Sequence, residues 1–346
     1  MFRVFKQVPR ILFGKGAINK IDELIPADKK TNILYIVDDS LNLPSILNKS
    51  DNNIINYPAS MGEPKTSQVD QIRGRLKSDK SIPTAIIGIG GGSTMDMAKS
   101  ISIMLFNDGS SANYQGWDLV KNPGLYKIGV PTISGSGAEA SRTAVLMGPD
   151  KKFGINSDYS MFDAIILDSD LTESVPNEQK FHTGMDCYIH CVESIEGTMI
   201  NDLSKSYASK ALELCEKSYL ENYDEDEMMV ASFFGGVSIV NSEVGICHAL
   251  SYGLSLELGF RHGIANCIAF NVLNEYYGNY VEKFHMMLKK YKINLPKNIC
   301  NGQDEKSLSR MVEMTLKMEK PLTNALGQDW RSIMTTEKIT ELYLKM

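Results

Sequence analysis

Ile86-Ile87-Gly88-Ile89-Gly90-Gly91-Gly92-Ser93-Thr94-Met95-Asp96 passes in one short run from β-branched apolar residues, through a glycine cluster, into hydroxyl-bearing and helix-forming residues. That order predicts a strand feeding a helix through a tight turn. Glycine lets the backbone come close to an anion there, and the N–H groups and positive dipole end of the following helix stabilise its charge. Ser93 and Asp96 also stand at the spacing of a capping box. Two readings fit the segment: a phosphate-cradling loop drawing on Gly90, Gly91, Gly92, Ser93 and Asp96, or a tight turn into a capped helix. The spacing G-x-G-x-x-S stops short of the dinucleotide fingerprint, and the loop follows the third predicted strand rather than the first.

Outward from this loop, the first half alternates short apolar runs with helical patterns. Asn32–Val37, Ile54–Tyr57, Thr84–Gly88, Lys127–Val130 and Ala164–Leu167 read as strands, with Ser67–Lys77 helical between the second and third. The prediction is a doubly wound parallel α/β sheet. A second small-residue loop, PTISGSGAE at 131–139, follows the fourth strand and offers Thr132, Ser134 and Ser136. Neighbouring strand C-termini are where such sheets take nucleotides. Asp38, ending the first predicted strand beside Asp39, is placed to accept a hydrogen bond from a ribose hydroxyl or to cap the next helix. In the first role its charge favours NAD over NADP by repelling a 2'-phosphate. Past Pro176, apolar residues recur at helical spacing. The expected division is therefore an α/β dinucleotide-binding domain over 1–180 and an all-helical domain over 181–346.

A chain of 346 residues suits about two domains at roughly 150 residues each. Lys and Arg number 36 against 42 Asp and Glu, a net charge of -6, so no general positive field would hold a nucleic acid. No stretch of about 18 apolar residues occurs, and MFRVFKQVPRILFGKG has no apolar core or small-residue cleavage site, so no membrane association and a cytoplasmic placement are expected. The six cysteines form no dense framework. Cys187-x3-Cys191 lacks a second pair in zinc-ribbon register, which reads as free thiols.

Only five histidines occur: His182, His190, His248, His262 and His285. Asp186 and His190 are four apart in a helical stretch and so share a face, where one cation could be gripped by both. His248 lies in CHALSYGLS and His262 in RHG, within reach of the same ion if the helices converge. Singly, each histidine is an ordinary core or surface residue. Burying the Asp/His pair without a cation, however, carries a desolvation cost. One carboxylate with three imidazoles suits Fe(II) or Zn(II) and is poor for Mg or Ca. His182 and His285 are read as structural.

These segments together resemble the iron-type (group III) alcohol dehydrogenase family: GGGSTMDMAK at 90–99, PTISGSGAEAS at 131–141, GMDCYIH at 184–190, the His248 segment and His262-Gly263, in order along the chain. The resemblance implies a dehydroquinate synthase-like fold, with a Rossmann-like N-terminal domain and an all-α C-terminal domain. It also implies NAD-linked oxidation of an alcohol, a metal held by Asp186, His190, His248 and His262, Lys152 at the cofactor, and a homodimer. Two departures stand out. Tyr252 occupies the place of a histidine implicated in proton relay, and Glu63-Pro64-Lys65-Thr66 replaces the usual Asn-Pro-Thr.

Further runs go beyond the shared motifs: YQGWDLVKNPG at 114–124, GMDCYIHCVES at 184–194, CHALSYGLS at 247–255 and LPKNIC at 295–300. They are similar to the branch of the family that oxidises the C8 hydroxyl of the sugar acid 3-deoxy-D-manno-octulosonate (Kdo) in lipopolysaccharide biosynthesis. That substrate calls for a cation to meet its carboxylate, and Arg142, Lys152 and Arg261 lie nearest the motifs. The alternative is a family member acting on another primary alcohol or diol.

Overall fold

The computed structural model describes residues 4–41, 53–58 and 62–346; Met1–Arg3 of the N-terminal stretch lie outside them. The chain divides into two compact units, Gln7–Ser174 and Val175–Met346, the second also taking in the stretch that ends at Lys6.

The first unit holds nine strands among the described residues: β1 (Ile11–Phe13), β2 (Ile33–Asp38), β3 (Asn53–Tyr57), β4 (Ala85–Gly90), β5 (Gly116–Trp117), β6 (Tyr126–Pro131), β7 (Thr143–Met147), β8 (Lys152–Asn156) and β9 (Ala164–Leu167). Helices α1 (Ile21–Leu24), α2 (Thr66–Ser78) and α3 (Gly92–Met104) accompany them. Six strands form one sheet in the order β1-β9-β6-β4-β2-β3, parallel throughout, while β5, β8 and β7 form a second, smaller sheet. Side chains alternate across the large sheet. Leu34, Ile36 and Ile86 pack with Val69 and Leu76 of α2 and Met97 and Ile101 of α3. Tyr35, Val37, Ile87 and Ile89 pack on the opposite face with Ile18, Ile21 and Leu24. Burial on both faces is why these strands read as unbroken apolar runs. A Cβ on Gly88 would stand 2.8 Å from that of Ala98, so α3 lies on β4 at a distance that glycine permits. The five expected strands and the helix over 67–77 are all present. β1 and the small sheet are additions that the sequence pattern did not announce.

The second unit is helical, with α4 (Asn177–Ile195), α5 (Asp202–Glu216), α6 (Glu225–Asn241), α7 (Ile246–Leu258), α8 (His262–Phe270), α9 (Asn274–Tyr291), α10 (Glu305–Leu316), α11 (Glu319–Leu326), α12 (Trp330–Ile333) and α13 (Thr336–Leu344). The division falls at Ser174/Val175, a little ahead of residue 180, because Pro176 already serves as the N-cap of α4. The segment before Gln7 is stitched to α6. The Lys6 N–H donates to Asn241 Oδ1 at 2.7 Å, and Asn241 Nδ2 donates back to the Lys6 carbonyl at 2.8 Å. Among the described residues no single helix is long and apolar enough to cross a membrane.

Candidate metal centre and cofactor loops

α4 carries Asp186, His190 and Glu193 at i, i+4 and i+7, so the three side chains share one face, and all three are buried. Gly184 sets how closely this helix packs, since a Cβ there would meet the Tyr219 hydroxyl at 1.9 Å. α7 supplies His248 in its first turn and Tyr252 one turn later. It ends at Gly259, whose φ of 71° is the left-handed conformation glycine adopts freely. The chain then turns through Arg261, the N-cap of α8, and His262 is that helix's first residue. Gly263 fixes the approach of α8 to α4, because a Cβ would stand 2.9 Å from the His182 carbonyl oxygen.

The three helices converge on Asp186. Its Oδ1 lies 3.2 Å from His248 Nε2, 3.5 Å from His190 Nε2 and 3.7 Å from His262 Nε2. Two donors each roughly 2.1 Å from one tetrahedral ion would be about 3.4 Å apart, so these separations fit a shared cation. Ligand atoms of Asp186, His248 and His262 all lie within 4.8 Å of one another. His190 joins the set through Asp186 and stacks on His248, with ring centroids 4.7 Å apart. The His262 side chain is 25% exposed while the Asp186, His190 and His248 side chains are sealed at 2–4%, so His262 is the member of the four that meets solvent. Tyr252 meets the His262 ring edge-on at 5.8 Å.

Burial alone would push the Asp186 carboxyl up, but His190, His262 and His248 together hold it well below the usual carboxylate range. Burial works against a charged His248 as well, yet Glu193 and Asp186 raise it to about 9. His190, buried more completely than its partners compensate, is pushed down. Anionic oxygen facing three imidazoles is a donor set for a borderline divalent cation, Fe(II) or Zn(II).

Two participants escaped the sequence reading. Glu193 Oε2 accepts a 2.5 Å hydrogen bond from His248 Nδ1. Asn266, one turn after His262, donates from Nδ2 to Asp186 Oδ1 at 2.6 Å, and that nitrogen lies 3.2 and 3.3 Å from the Nε2 atoms of His248 and His262. Asn266 Oδ1 is buried without a hydrogen-bond partner. Helical spacing from a recognised ligand was the available signal for both. His182 and His285 stay outside the cluster, the latter 3.1 Å from Asn271 Oδ1. All six cysteines are free and buried, with Cys187 Sγ 3.4 Å from Cys215 Sγ.

In the α/β unit, β4 ends at Gly90, Gly91 is the N-cap of α3 with no side-chain cap, and α3 begins at Gly92. The capping box expected of Ser93 and Asp96 does not form. Ser93 already sits inside the helix, and Asp96 Oδ2 instead accepts the Val145 N–H at 3.0 Å. The Thr132–Ser136 loop lies directly against the glycine loop. The Thr132 N–H donates to the Gly90 carbonyl, and Cβ atoms on Gly91 and Gly92 would stand 3.2 Å from Ile133 and 3.1 Å from Ser136. Thr94 Oγ1 and Ser134 Oγ are buried here without hydrogen-bond partners, which fits loops shaped for a polar ligand.

Lys99 reaches from α3 to the carbonyls of Ala138, Ser141 and Thr143, pinning the far end of the second loop. Burial pushes its amine down and pushes the neighbouring Asp96 carboxyl up. Asp38 ends β2, next to β4 in the sheet, and its Oδ1 accepts from the Ser40 N–H and hydroxyl. Lys152 is fully buried 3.1 Å from Glu63, and Arg142 bridges Asp118 and Asp158. Those two cations are thus engaged inside the α/β unit; Arg261 is exposed and directly precedes His262.

A parallel sheet with glycine loops and a helical unit with an Asp/His cluster place the protein in a recognisable class. Residues 9–169 match the family model for iron-containing alcohol dehydrogenase, and residues 180–326 match the C-terminal model of the Fe-containing alcohol dehydrogenase family. The chain belongs to the iron-containing alcohol dehydrogenase family. It is similar to a sulfoacetaldehyde reductase of Bilophila wadsworthia, with 31% identity over 253 residues, covering 70% of this chain and 63% of that protein. Alcohol dehydrogenase 4 of Schizosaccharomyces pombe is 27% identical over 273 residues, covering 74% and 64%. These matches therefore span less than two thirds of either relative's length. Among solved structures, a 1,3-propanediol oxidoreductase superposes with a TM-score of 0.81 at 21% identity, covering 99% of both chains. A sulfoacetaldehyde reductase from Bifidobacterium kashiwanohense in complex with NAD+ gives 0.80 at 22%, covering 99% of this chain and 98% of that one. At those identities, the shared property is the fold.

Proposed function

We propose that the protein is a metal- and NAD-dependent oxidoreductase that converts a primary alcohol to its aldehyde, with transfer of a hydride to NAD and release of one proton. The observation that carries this reading is the approach of three imidazole Nε2 atoms to a single carboxylate oxygen of Asp186. A divalent cation there supplies Lewis acidity toward a hydroxyl oxygen, and nicotinamide supplies the hydride acceptor. Asp186, His190, His248 and His262 are the residues that would hold the cation. Gly90–Ser93 and the α3 N-terminus would take the pyrophosphate, with Thr94, Thr132, Ser134 and Ser136 as hydroxyl donors. Asp38 would accept from the ribose, favouring NAD, and the Tyr252 hydroxyl would carry the released proton outward past His262. Asp96 and Lys152 would belong to the cofactor region as well, with Asp96 also accepting the Val145 N–H and Lys152 lying 3.1 Å from Glu63.

The substrate we assign is the C8 primary hydroxyl of Kdo, the reaction of a Kdo 8-oxidase on the route to 8-amino-Kdo in lipopolysaccharide, with Arg261 reading the sugar-acid carboxylate. Support comes from the runs at 114–124, 184–194, 247–255 and 295–300 and from the exposure of Arg261 next to His262. A homodimer acting in the cytoplasm completes the reading. The similarity to a sulfoacetaldehyde reductase favours a second reading, a small anionic aldehyde or alcohol as substrate. The deciding experiment is an anaerobic, Fe(II)-reconstituted assay of NADH formation on Kdo, run beside propanediol, lactaldehyde and glycerol with an aldehyde trap. Turnover on Kdo with a trapped C8 aldehyde is expected. Turnover on the small alcohols alone would remove the Kdo assignment and keep the chemistry.

A further inference from the structure

Glu193 is buried, lies outside the ligand set and is fully committed. Oε2 accepts the 2.5 Å hydrogen bond from His248 Nδ1, while Oε1 accepts the Cys247 N–H at 2.6 Å and the Tyr277 hydroxyl at 3.3 Å. Cys247 is the second residue of α7, the helix that carries His248, and the N-cap of that helix is Gly245, which has no side chain with which to cap. A second first-turn donor, the Ile246 N–H, goes to the Tyr277 oxygen at 3.3 Å. One carboxylate from α4 thus caps α7 in trans and grips the Nδ1 edge of its histidine. Gly245 makes room for this, since a Cβ would stand 2.7 Å from the Tyr277 oxygen and 3.0 Å from Glu193 Oε1.

We propose that Glu193 is the positioning residue of the metal centre: it holds the His248 proton on Nδ1, so that Nε2 presents its lone pair beside Asp186. The inference rests on the metal reading above. Imidazole has one proton to place between two nitrogens when neutral; carboxylate oxygen faces both, and the closer contact, 2.5 Å at Nδ1 against 3.2 Å at Nε2, favours Nδ1. The buried charge also balances. Asp186 and Glu193 carry two negative charges, no lysine or arginine pairs with either among the described residues, and a divalent cation neutralises both. Carboxylates hydrogen-bonded to a ligating histidine act in this way on tautomer, ring orientation and basicity.

Glu193→Gln tests the assignment without changing shape. If the glutamine oxygen stays on the Cys247 N–H, its NH2 faces Nδ1 and drives the imidazole proton to Nε2, where it blocks ligation. If the amide turns over, two donors confront one another at Cys247. Zn(II) binding by the full chain, measured by competition with a colorimetric chelator, is expected to weaken about 10- to 100-fold in Glu193→Gln. A variant within twofold of the parent would overturn the proposal. The parent protein gives a second measurement that needs no variant. With 15N-labelled histidine and Zn(II) bound, His248 should show a protonated Nδ1 and a metal-shifted Nε2; the reverse pattern overturns the assignment whatever the variant does. Failure of the parent to bind Zn(II) at all would overturn the metal reading, and this inference with it.

Discussion

In the α/β unit, Asp96 shares the interior with Lys99, and Glu63 lies against the buried Lys152. In the helical unit, Asp186 and Glu193 share theirs with imidazoles and no lysine or arginine among the described residues. Both clusters take carboxylates out of water, a cost that stands unless opposite charge comes with them. In the first, the chain brings its own lysine side chains, and Lys99 spends its hydrogen bonds on three carbonyls of a loop. In the second, the only intrinsic positive charge is a proton on histidine, which a divalent ion can replace. The contrast separates a structural fixture from a binding site on chemistry alone, and each cluster should fail in its own way when disturbed.

The largest effect expected is on the helical cluster. Asp186→Asn removes the negative charge that all three imidazoles approach, and kcat/KM should fall about 1,000-fold or more, equivalent to several kcal/mol of lost charge stabilisation. Bound metal measured by elemental analysis should be lost with it. The complementary change is Lys99→Met. It strands Asp96 without its cation and frees the loop end, so a loss of about 3–5 kcal/mol in urea unfolding is expected, with Zn(II) affinity intact. A Lys99→Met protein that kept its stability but lost metal would break the distinction drawn between the clusters.

A pH series on chelator-treated protein sharpens it further. The pKa of His248 is raised in the folded state to about 9 from an ordinary 6.5, against burial, by Glu193 and Asp186. The stabilisation it contributes is therefore complete below pH 6.5 and is lost as the pH climbs through 9. On the order of 3 kcal/mol is at stake. Urea midpoints of the stripped protein should decline across that window, and loading Zn(II) should flatten the decline by removing the proton from the balance. Equal slopes in the two states would contradict the account.

The main sheet was legible because its strands are covered on both faces, which forces long apolar runs such as Ile33–Val37 and Ala85–Ile89. β1, three residues long, and the two-residue β5 are too short to carry a pattern. The Asp/His cluster was legible because histidines are few and Asp186 and His190 stand one helical turn apart. Glu193 and Asn266 were not, since a glutamate or asparagine at helical spacing is ordinary, and only the fold brings α4, α7 and α8 together around them. The capping-box reading failed for a physical reason: Gly91 carries the extended backbone that ends the strand, so Ser93 arrives too late to cap. Association of the segment before Gln7 with α6 is a pairing 235 residues apart, beyond any local signal.

That pairing orders the events of synthesis. Every strand of the α/β unit has been translated once Leu167 is made, so the glycine loops can reach their final arrangement on a chain still growing. Lys6 must wait for Asn241, and His262 is translated later still. The unit that would capture metal is opened by an early segment and closed by a late one, with the whole sheet threaded between. Its completion thus waits on the later part of the chain, while that of the sheet does not.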